Sequence, residues 1–527
     1  MYGIEWRTRK ARPRVLSVVL SLLIVATSAP AAGALTGGDP SDYQGSPYSV
    51  AERIGLIGAD GSAVTDATGD GVTIALIDTG VIDVPGLRYS NVTIGPDFSF
   101  DDMVPDLRGK DGNGHGTHLA SIMVASDRSW FEGDHTRTPE RVLGIAPDAN
   151  LLSVKAGATD GAVDVTQVIA ALDGVGSQKL TGATDVDILN LSFGTASTNP
   201  AGTDPLTQAV ERAWMSGIVV VVSAGNDGDS GASLSDPAYS PLIIAVGASM
   251  LDGSETETDF TSEGLPNRKI DVSAPGKSLV GLRNPGSYSD AFNEAGRIGE
   301  DLVRASGTSQ AAAVVSGAVA LLLEARPDLT PDQVKWLVNK TAEKTKSDTF
   351  GISRLLDLEE ALSAAVPNYS QATQLSDGTG SIDAARGNSR LWINGAMLEG
   401  EIDIFGNTWS GNTWSGNTWS GNTWSGNTWS GVSWDGNTWS GVSWDGVSWD
   451  GNTWSGNTWS GVSWDGVSWD GNTWSGNTWS GNTWSGNTWS GNTWSGDAWD
   501  GNTWSGDSWY GNTWSGNTWS GNTWSGE

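Results

Sequence analysis

Residues 71–80 read GVTIALIDTG, a short apolar run rich in β-branched residues that stops at a carboxylate, Asp78, and a glycine turn. Such a run predicts a buried strand. The same form recurs in ANLLSVKA (149–156), DVDILNLSFG (185–194), GIVVVVSAGN (217–226) and PLIIAVGA (241–248). Between these runs lie helical patterns, among them DVTQVIAALDGVG (164–176) and DPLTQAVERAWMSG (204–217). Strands that are apolar throughout and alternate with amphipathic helices predict an α/β fold with a mostly parallel sheet covered on both faces. In such a sheet, polar residues at the carboxyl ends of strands line the ligand crevice, which singles out Asp78, Ser192 and Asn226.

Composition divides the chain. Of its 29 tryptophans, 24 fall between Trp409 and Trp524, so the totals describe two different kinds of sequence. Residues up to about 366 have globular character and enough length for a substantial core. The first 34 residues carry a basic start (Arg7, Arg9, Lys10, Arg12, Arg14), an apolar run from Val15 to Ala26, and small residues ending at Ala32-Gly33-Ala34. This is the pattern of a signal peptide and predicts a secreted, extracellular protein. A membrane anchor is the competing reading, but the run is short for a bilayer that needs about 20 apolar residues. Removing this leader takes away five cations and one carboxylate, moving the formal charge from -32 to -36. A surface this acidic excludes nucleic acid and anionic lipid as natural partners. No cysteine is present, which excludes disulfides and thiolate chemistry.

Three glycine-flanked stretches each present one reactive group: Asp78 in ALIDTG, His115 in DGNGHGTHLA (111–120), and Ser309 in ASGTSQAAAVVSGAVALLL (305–323). A serine hydroxyl needs a base to become a nucleophile, and the base needs an anion to hold its tautomer and stabilise the imidazolium. The chain offers only His115, His118 and His135 as bases. Ser309 opens a long apolar helix, where unpaired N–H groups and the helix dipole favour a developing oxyanion. Asn226, at the end of a valine run, can donate a second hydrogen bond to the same charge.

IALIDTG, HGTH, SAGN and GTSQA, in this order and with IAPDANLLSVKA, LNLSFG and SAPG in place, resemble the subtilase family of subtilisin-like serine peptidases over about residues 45–365. The resemblance implies a subtilisin-like three-layer fold, with Asp78 as orienting carboxylate, His115 as general base and acid, Ser309 as nucleophile and Asn226 as oxyanion donor. It implies that Ser192 and Gly194 pair with an extended substrate, and that Gly225 and Asp227 flank the first specificity pocket. An acidic wall of Asp227 and Asp229 there would favour a basic or polar residue, and solvated loop carboxylates are the plainer reading. His118 is then structural. Two positions depart from the family: it commonly has methionine after the serine and proline four residues beyond it, where this chain has Gln310 and Ala313.

The resemblance implies structural calcium, with Asp101, Asp102, Asp106 and the insertion DRSWFEGDHTRTPE (127–140) as candidate holders; none matches an EF-hand loop. No cofactor is required for the chemistry. Between Leu35 and Asp78 little stands beyond SPYSVAERIGLIGADG, so the pro-segment common in the family is expected to be short or absent. The DTGV and GTS blocks also resemble the mycosins, which keeps a dedicated processing or secretion-associated peptidase as an alternative. A catalytically inactive binding protein is another.

The expected organisation is a signal peptide (1–34), a peptidase domain (35–366), a linker or transition module (367–405) and a pentapeptide repeat (406–527). In the repeat, a five-residue step gathers tryptophan on one side of neither an α-helix nor a long strand. A tight meander does so, with Gly-Asn turns, Thr-Trp-Ser strands and tryptophan opposite tryptophan in successive strands. A flexible chain is the alternative. Rows of indoles suit stacking on a polysaccharide or cell wall, or self-association, and a plain spacer is the simpler reading. Protein or peptide substrates complete the expected partners.

Overall fold

The computed structural model describes residues 45–404, apart from 88–91, 127–143, 181–184, 229–233, 252–257, 263, 348–350 and 394–395. Within the repeat it describes three-residue strands from Thr413–Ser415 to Thr523–Ser525, together with Asn477 and Asn482. The expected signal peptide, His135, Asp229 and the 127–140 insertion lie outside the described residues.

The quoted stretch forms β1 (Thr73–Asp78), followed by β2 (Val92–Asp97), β3 (Asn150–Lys155), β4 (Ile188–Leu191), β5 (Val219–Ser223), β6 (Ile244–Ser249) and β7 (Val272–Pro275). With the hairpin β8 (Glu343–Ser347) and β9 (Gly351–Leu355), these make one nine-stranded sheet in the order β8-β9-β7-β6-β5-β4-β1-β3-β2. Every pairing is parallel except that of β8 with β9. Every residue of β4, β5 and β6 is buried, so the sheet is covered on both faces, as their unbroken apolar runs predict. β2, with Pro96 and several exposed positions, forms one edge and β8 the other.

Five helices complete the α/β core: α1 (His115–Val124), α2 (Val165–Leu180), α3 (Pro205–Met215), α4 (Thr308–Ala325) and α5 (Pro331–Thr341). α1 packs on α4, and α2 packs on α3. α4 is long and apolar enough to cross a membrane, yet 89% of it is buried in the core, and its residues from Thr308 to Leu323 are all buried. Ser316 on this helix donates 2.9 Å to Asn190 of β4, satisfying two polar groups in the sheet interior.

Strand order reverses at β1, which has β3 on one side and β4 on the other. A crevice opens at the carboxyl ends of strands flanking such a switch point. Asp78 ends β1, and Ser192 follows β4 directly.

The segment expected as a linker or transition module is packed against this sheet and its helices. Its short helix α6 (Ile382–Arg386) places Ile382 and Ala385 in the main core. Arg386 pairs with Asp164 at 2.6 Å, and neither side chain has any solvent exposure. Leu391 and Leu398 form a second small core with Ala158 and Ala162.

The repeat forms three-residue strands at the Thr-Trp-Ser positions and their variants, but not the expected meander. Each strand pairs in parallel with the one four repeats along: Trp414 is in register with Trp434, and Trp434 with Trp454. Four sheets of six, six, six and five strands result, so successive repeats occupy four different sheets. A meander needs antiparallel neighbours, whereas the observed pairing is parallel and four repeats apart, so tryptophan positions align between every fourth repeat and not between successive ones. Asn477 and Asn482 are buried.

Candidate active site

Asp78 sits at the end of β1 with its carboxylate beside the first residue of α1. His115 Nδ1 lies 2.8 Å from Oδ1 and 3.0 Å from Oδ2 of Asp78, and both side chains are almost fully buried. A carboxylate only accepts, so Nδ1 carries the proton and Nε2 is left as the basic nitrogen. Thr79 donates its backbone N–H (2.8 Å) to the same Asp78 oxygen. Burial alone would lower the His115 pKa; attraction to Asp78, its hydrogen bond and the charge of Asp111 outweigh burial and raise it.

Two neighbours that the sequence did not single out build this geometry. Gly114, which precedes α1, is left-handed and offers no capping side chain. Asp111 takes that role, accepting from the N–H groups of Asn113 (3.0 Å), Gly114 (2.7 Å) and Thr117 (2.8 Å). Burial raises the Asp111 pKa, against these hydrogen bonds. Gly116 permits the close approach of α1 to β1, because a Cβ there would fall 2.1 Å from the Gly80 carbonyl oxygen.

His118, on the same helix, is buried with neither ring nitrogen hydrogen-bonded, and burial together with the His115 charge lowers its pKa to about 3. It is a neutral packing residue against Gly281, where a Cβ would lie 2.6 Å from Nδ1.

Ser309 is the second residue of α4, behind Gly307 and Thr308, and lines one cleft with His115, Asn226 and Gly194. The orientation of Asn226 is dictated by Thr308. Its side-chain oxygen accepts from the Thr308 N–H at 2.9 Å and from the Thr308 hydroxyl at 3.0 Å. A backbone N–H can only donate, so the atom facing it is Oδ1 and the amide donors remain available to the cleft. Thr308 is therefore a positioning residue, which only its place beside Ser309 could have suggested.

Ser192, Gly194, Gly225 and Asp227 all line the same cleft. Ser235 is packed into it: a Cβ on Gly194 would come within 2.6 Å of the Ser235 Cβ, and one on Gly225 within 2.2 Å of its hydroxyl. Both glycines are thus required by close approach to one serine. Gln310 also lines the cleft, and its Oε1 lies 2.8 Å from the position a Cβ on Gly307 would take. Ala313 is fully buried in α4.

Asp101 pairs with Lys155 at 2.8 Å and accepts from Thr159, and Asp102 pairs with Arg108. Among the described residues, no group of three or more His, Asp or Glu side chains is placed to hold a metal.

The model of the subtilase family matches residues 69–358, more than half of the chain. The chain belongs to the subtilase family. It is 34% identical over 293 residues to serine protease AprX of Bacillus subtilis (strain 168), covering 53% of this chain and 63% of AprX. It is 30% identical over 310 residues to subtilisin DY of Bacillus licheniformis, covering 58% of this chain and 97% of that subtilisin. A solved cold-adapted subtilisin-like serine proteinase is 26% identical, with a TM-score of 0.45 over 59% of this chain and 97% of that one. As a subtilase, the chain has the α/β fold of the family, and the family match ends before α6.

Proposed function

We propose that this subtilase is a secreted serine endopeptidase that cleaves peptide bonds through an acyl-enzyme. Ser309 attacks the scissile carbonyl while His115 Nε2 takes its proton and later returns it to the leaving amine. Asp78 holds the imidazole tautomer and stabilises the imidazolium, and Asn226 with the start of α4 stabilises the oxyanion. The reading rests above all on the buried Asp78–His115 contact, set in one cleft with Ser309 and an asparagine whose amide donors are turned away from Thr308. An extended peptide would lie along Ser192–Gly194 as an added strand, with a side chain between this segment and Gly225–Asp227. No metal takes part in the chemistry, and any structural calcium would bind away from Asp101 and Asp102.

The apolar segment 15–26 would direct export, and the Trp-bearing repeat would attach the enzyme to a surface or glycan. In-register tryptophans on strands stacked every twenty residues support that role.

A fluorophosphonate probe tests the reading: the full chain is expected to be labelled and Ser309→Ala to remain unlabelled. Absence of label on the wild-type chain would instead favour an inactive, peptide-binding subtilase.

A further inference from the structure

Residues 376–393 and 396–402, which lie beyond the part of the chain matched by the family, form a strap along the segment that continues from the cleft-lining Ser192–Gly194. The contacts are consecutive and specific. Thr203 accepts at 2.7 Å from the Gly380 N–H, Asn199 and Ser381 exchange two hydrogen bonds of 2.9 Å, and the Thr198 N–H donates 3.1 Å to Ala384. The Thr195 hydroxyl donates 2.6 Å to the Ala385 carbonyl. At Gly387 the strap lies flat on its partner: φ is +52°, and a Cβ would fall 2.3 Å from the Ala196 carbonyl oxygen, so no other residue fits without displacement. The next residue, Asn388, reaches the cleft that contains Ser309 and accepts from the Ala196 N–H at 3.2 Å.

We propose that this strap forms a wall of the substrate cleft and that Asn388 is a specificity-determining residue; this inference rests on the peptidase reading above. The Ala196 N–H can only donate, so it holds Oδ1 of Asn388 and leaves Nδ2, a double donor, available to the cleft that Asn388 lines. Asn388 is solvent-exposed in the free enzyme, so a substrate group can reach it. The matching substrate feature is a neutral acceptor, such as the side-chain amide of glutamine or asparagine, in the residue seated between Ser192–Ala196 and Gly225–Asp227. A carboxylate would meet the Asp227 charge across the same cleft. An apolar side chain would leave the Nδ2 donors unpaired once water is displaced.

The test compares the full-length wild type with Asn388→Ala and Asn388→Asp on paired peptides that differ only by glutamine or leucine at that position. Asn388→Asp keeps an acceptor for the Ala196 N–H while removing the Nδ2 donor, so it separates substrate recognition from support of the loop. Both variants are expected to lose the preference for glutamine over leucine by about 3- to 10-fold in relative kcat/KM, while each still folds and still reacts with the fluorophosphonate. Wild-type ratios in both variants, with labelling intact, would overturn the strap inference alone. Wild-type behaviour in Asn388→Asp with a changed Asn388→Ala would also overturn it, making Asn388 only a prop for the loop. A wild-type chain that does not label at all would remove the peptidase reading and this inference with it.

Discussion

His115 Nδ1 is bound between both oxygens of Asp78, 2.8 Å and 3.0 Å away, in a site where neither side chain is more than 5% exposed. Burial is the largest single influence and disfavours the imidazolium, but attraction to Asp78, its hydrogen bond and the charge of Asp111 together outweigh it, so the imidazolium is favoured beyond its ordinary range. A general base must be neutral to act, so activity rises as pH climbs through that raised value, and the acidic limb of kcat/KM is expected above 6.5. Asp78→Asn removes the attraction and leaves burial, which lowers the imidazolium pKa. The limb should then move to lower pH, while kcat falls by about 10⁴-fold, as for comparable triads. A pH–rate profile of both proteins checks this; an unmoved limb would separate Asp78 from the base.

Thr308 and Asn226 give a second expectation. Asn226→Ala removes a side-chain donor at the oxyanion and is expected to lower kcat by about 10²–10³-fold with little change in KM. Thr308→Val keeps the backbone N–H bond to Oδ1 and loses the hydroxyl's bond to Asn226 together with its acceptance from the Gly225 N–H, so its effect should be smaller than that of Asn226→Ala and in the same direction. Steady-state kinetics on one peptide substrate would show the order; a KM effect exceeding the kcat effect in Asn226→Ala would argue for a ground-state role.

The sheet, and the meeting of the candidates Asp78, His115, Asn226 and Ser309, were legible in the sequence because both depend on local pattern. Strands buried on both faces are apolar throughout, and polar candidates such as Asp78 and Asn226 stand where those runs stop. The supporting residues were not legible. Thr308 reaches Asn226 across 82 positions and Asn388 reaches Ala196 across 192, and no periodicity links such pairs. Asp111 caps α1 from outside the helix, and its place in a glycine-flanked stretch carried no sign of that role. In the repeat, the strand positions were legible but not their partners. Near-identical units offer every register equally, so the five-residue pattern does not say which repeat pairs with which.

The strap should also matter to stability. Arg386 bonds Asp164 and the carbonyls of Gly400 and Ile402 with no solvent exposure, and Asp164 in turn accepts from Thr166. Arg386→Met would leave the Asp164 carboxylate buried without its cation, at a cost of about 3–5 kcal/mol. Adding Asp164→Asn should recover part of that loss, because the uncompensated charge is then gone. Urea unfolding of the wild type, the single and the double variant measures this. Equal destabilisation by the single and double variants would mean that lost packing, rather than an unpaired charge, dominates.

Asp290 provides the clearest acid-stability signal. Its carboxylate accepts two bonds from Arg283 at 2.6 and 2.8 Å, one from Arg297 at 2.9 Å and one from the Gly286 N–H at 3.0 Å. The Arg283 hydrogen bonds foremost, with those of Gly286 and Arg297, hold its pKa well below the carboxylate range despite some burial. A depressed folded-state pKa means that the unfolded chain binds protons first as pH falls. The stabilisation is therefore complete above about pH 5 and is lost progressively below an unfolded value near 3.9. Asp290→Asn should be less stable than wild type at pH 7 by an amount that stays constant down to about pH 5 and shrinks below about pH 4. The comparison requires unfolding curves for both proteins across that window in the same buffer series. A difference that stayed constant to pH 3 would mean that Asp290 acts through shape and neutral hydrogen bonding, because a charge effect must fade where the carboxylate protonates in the unfolded chain.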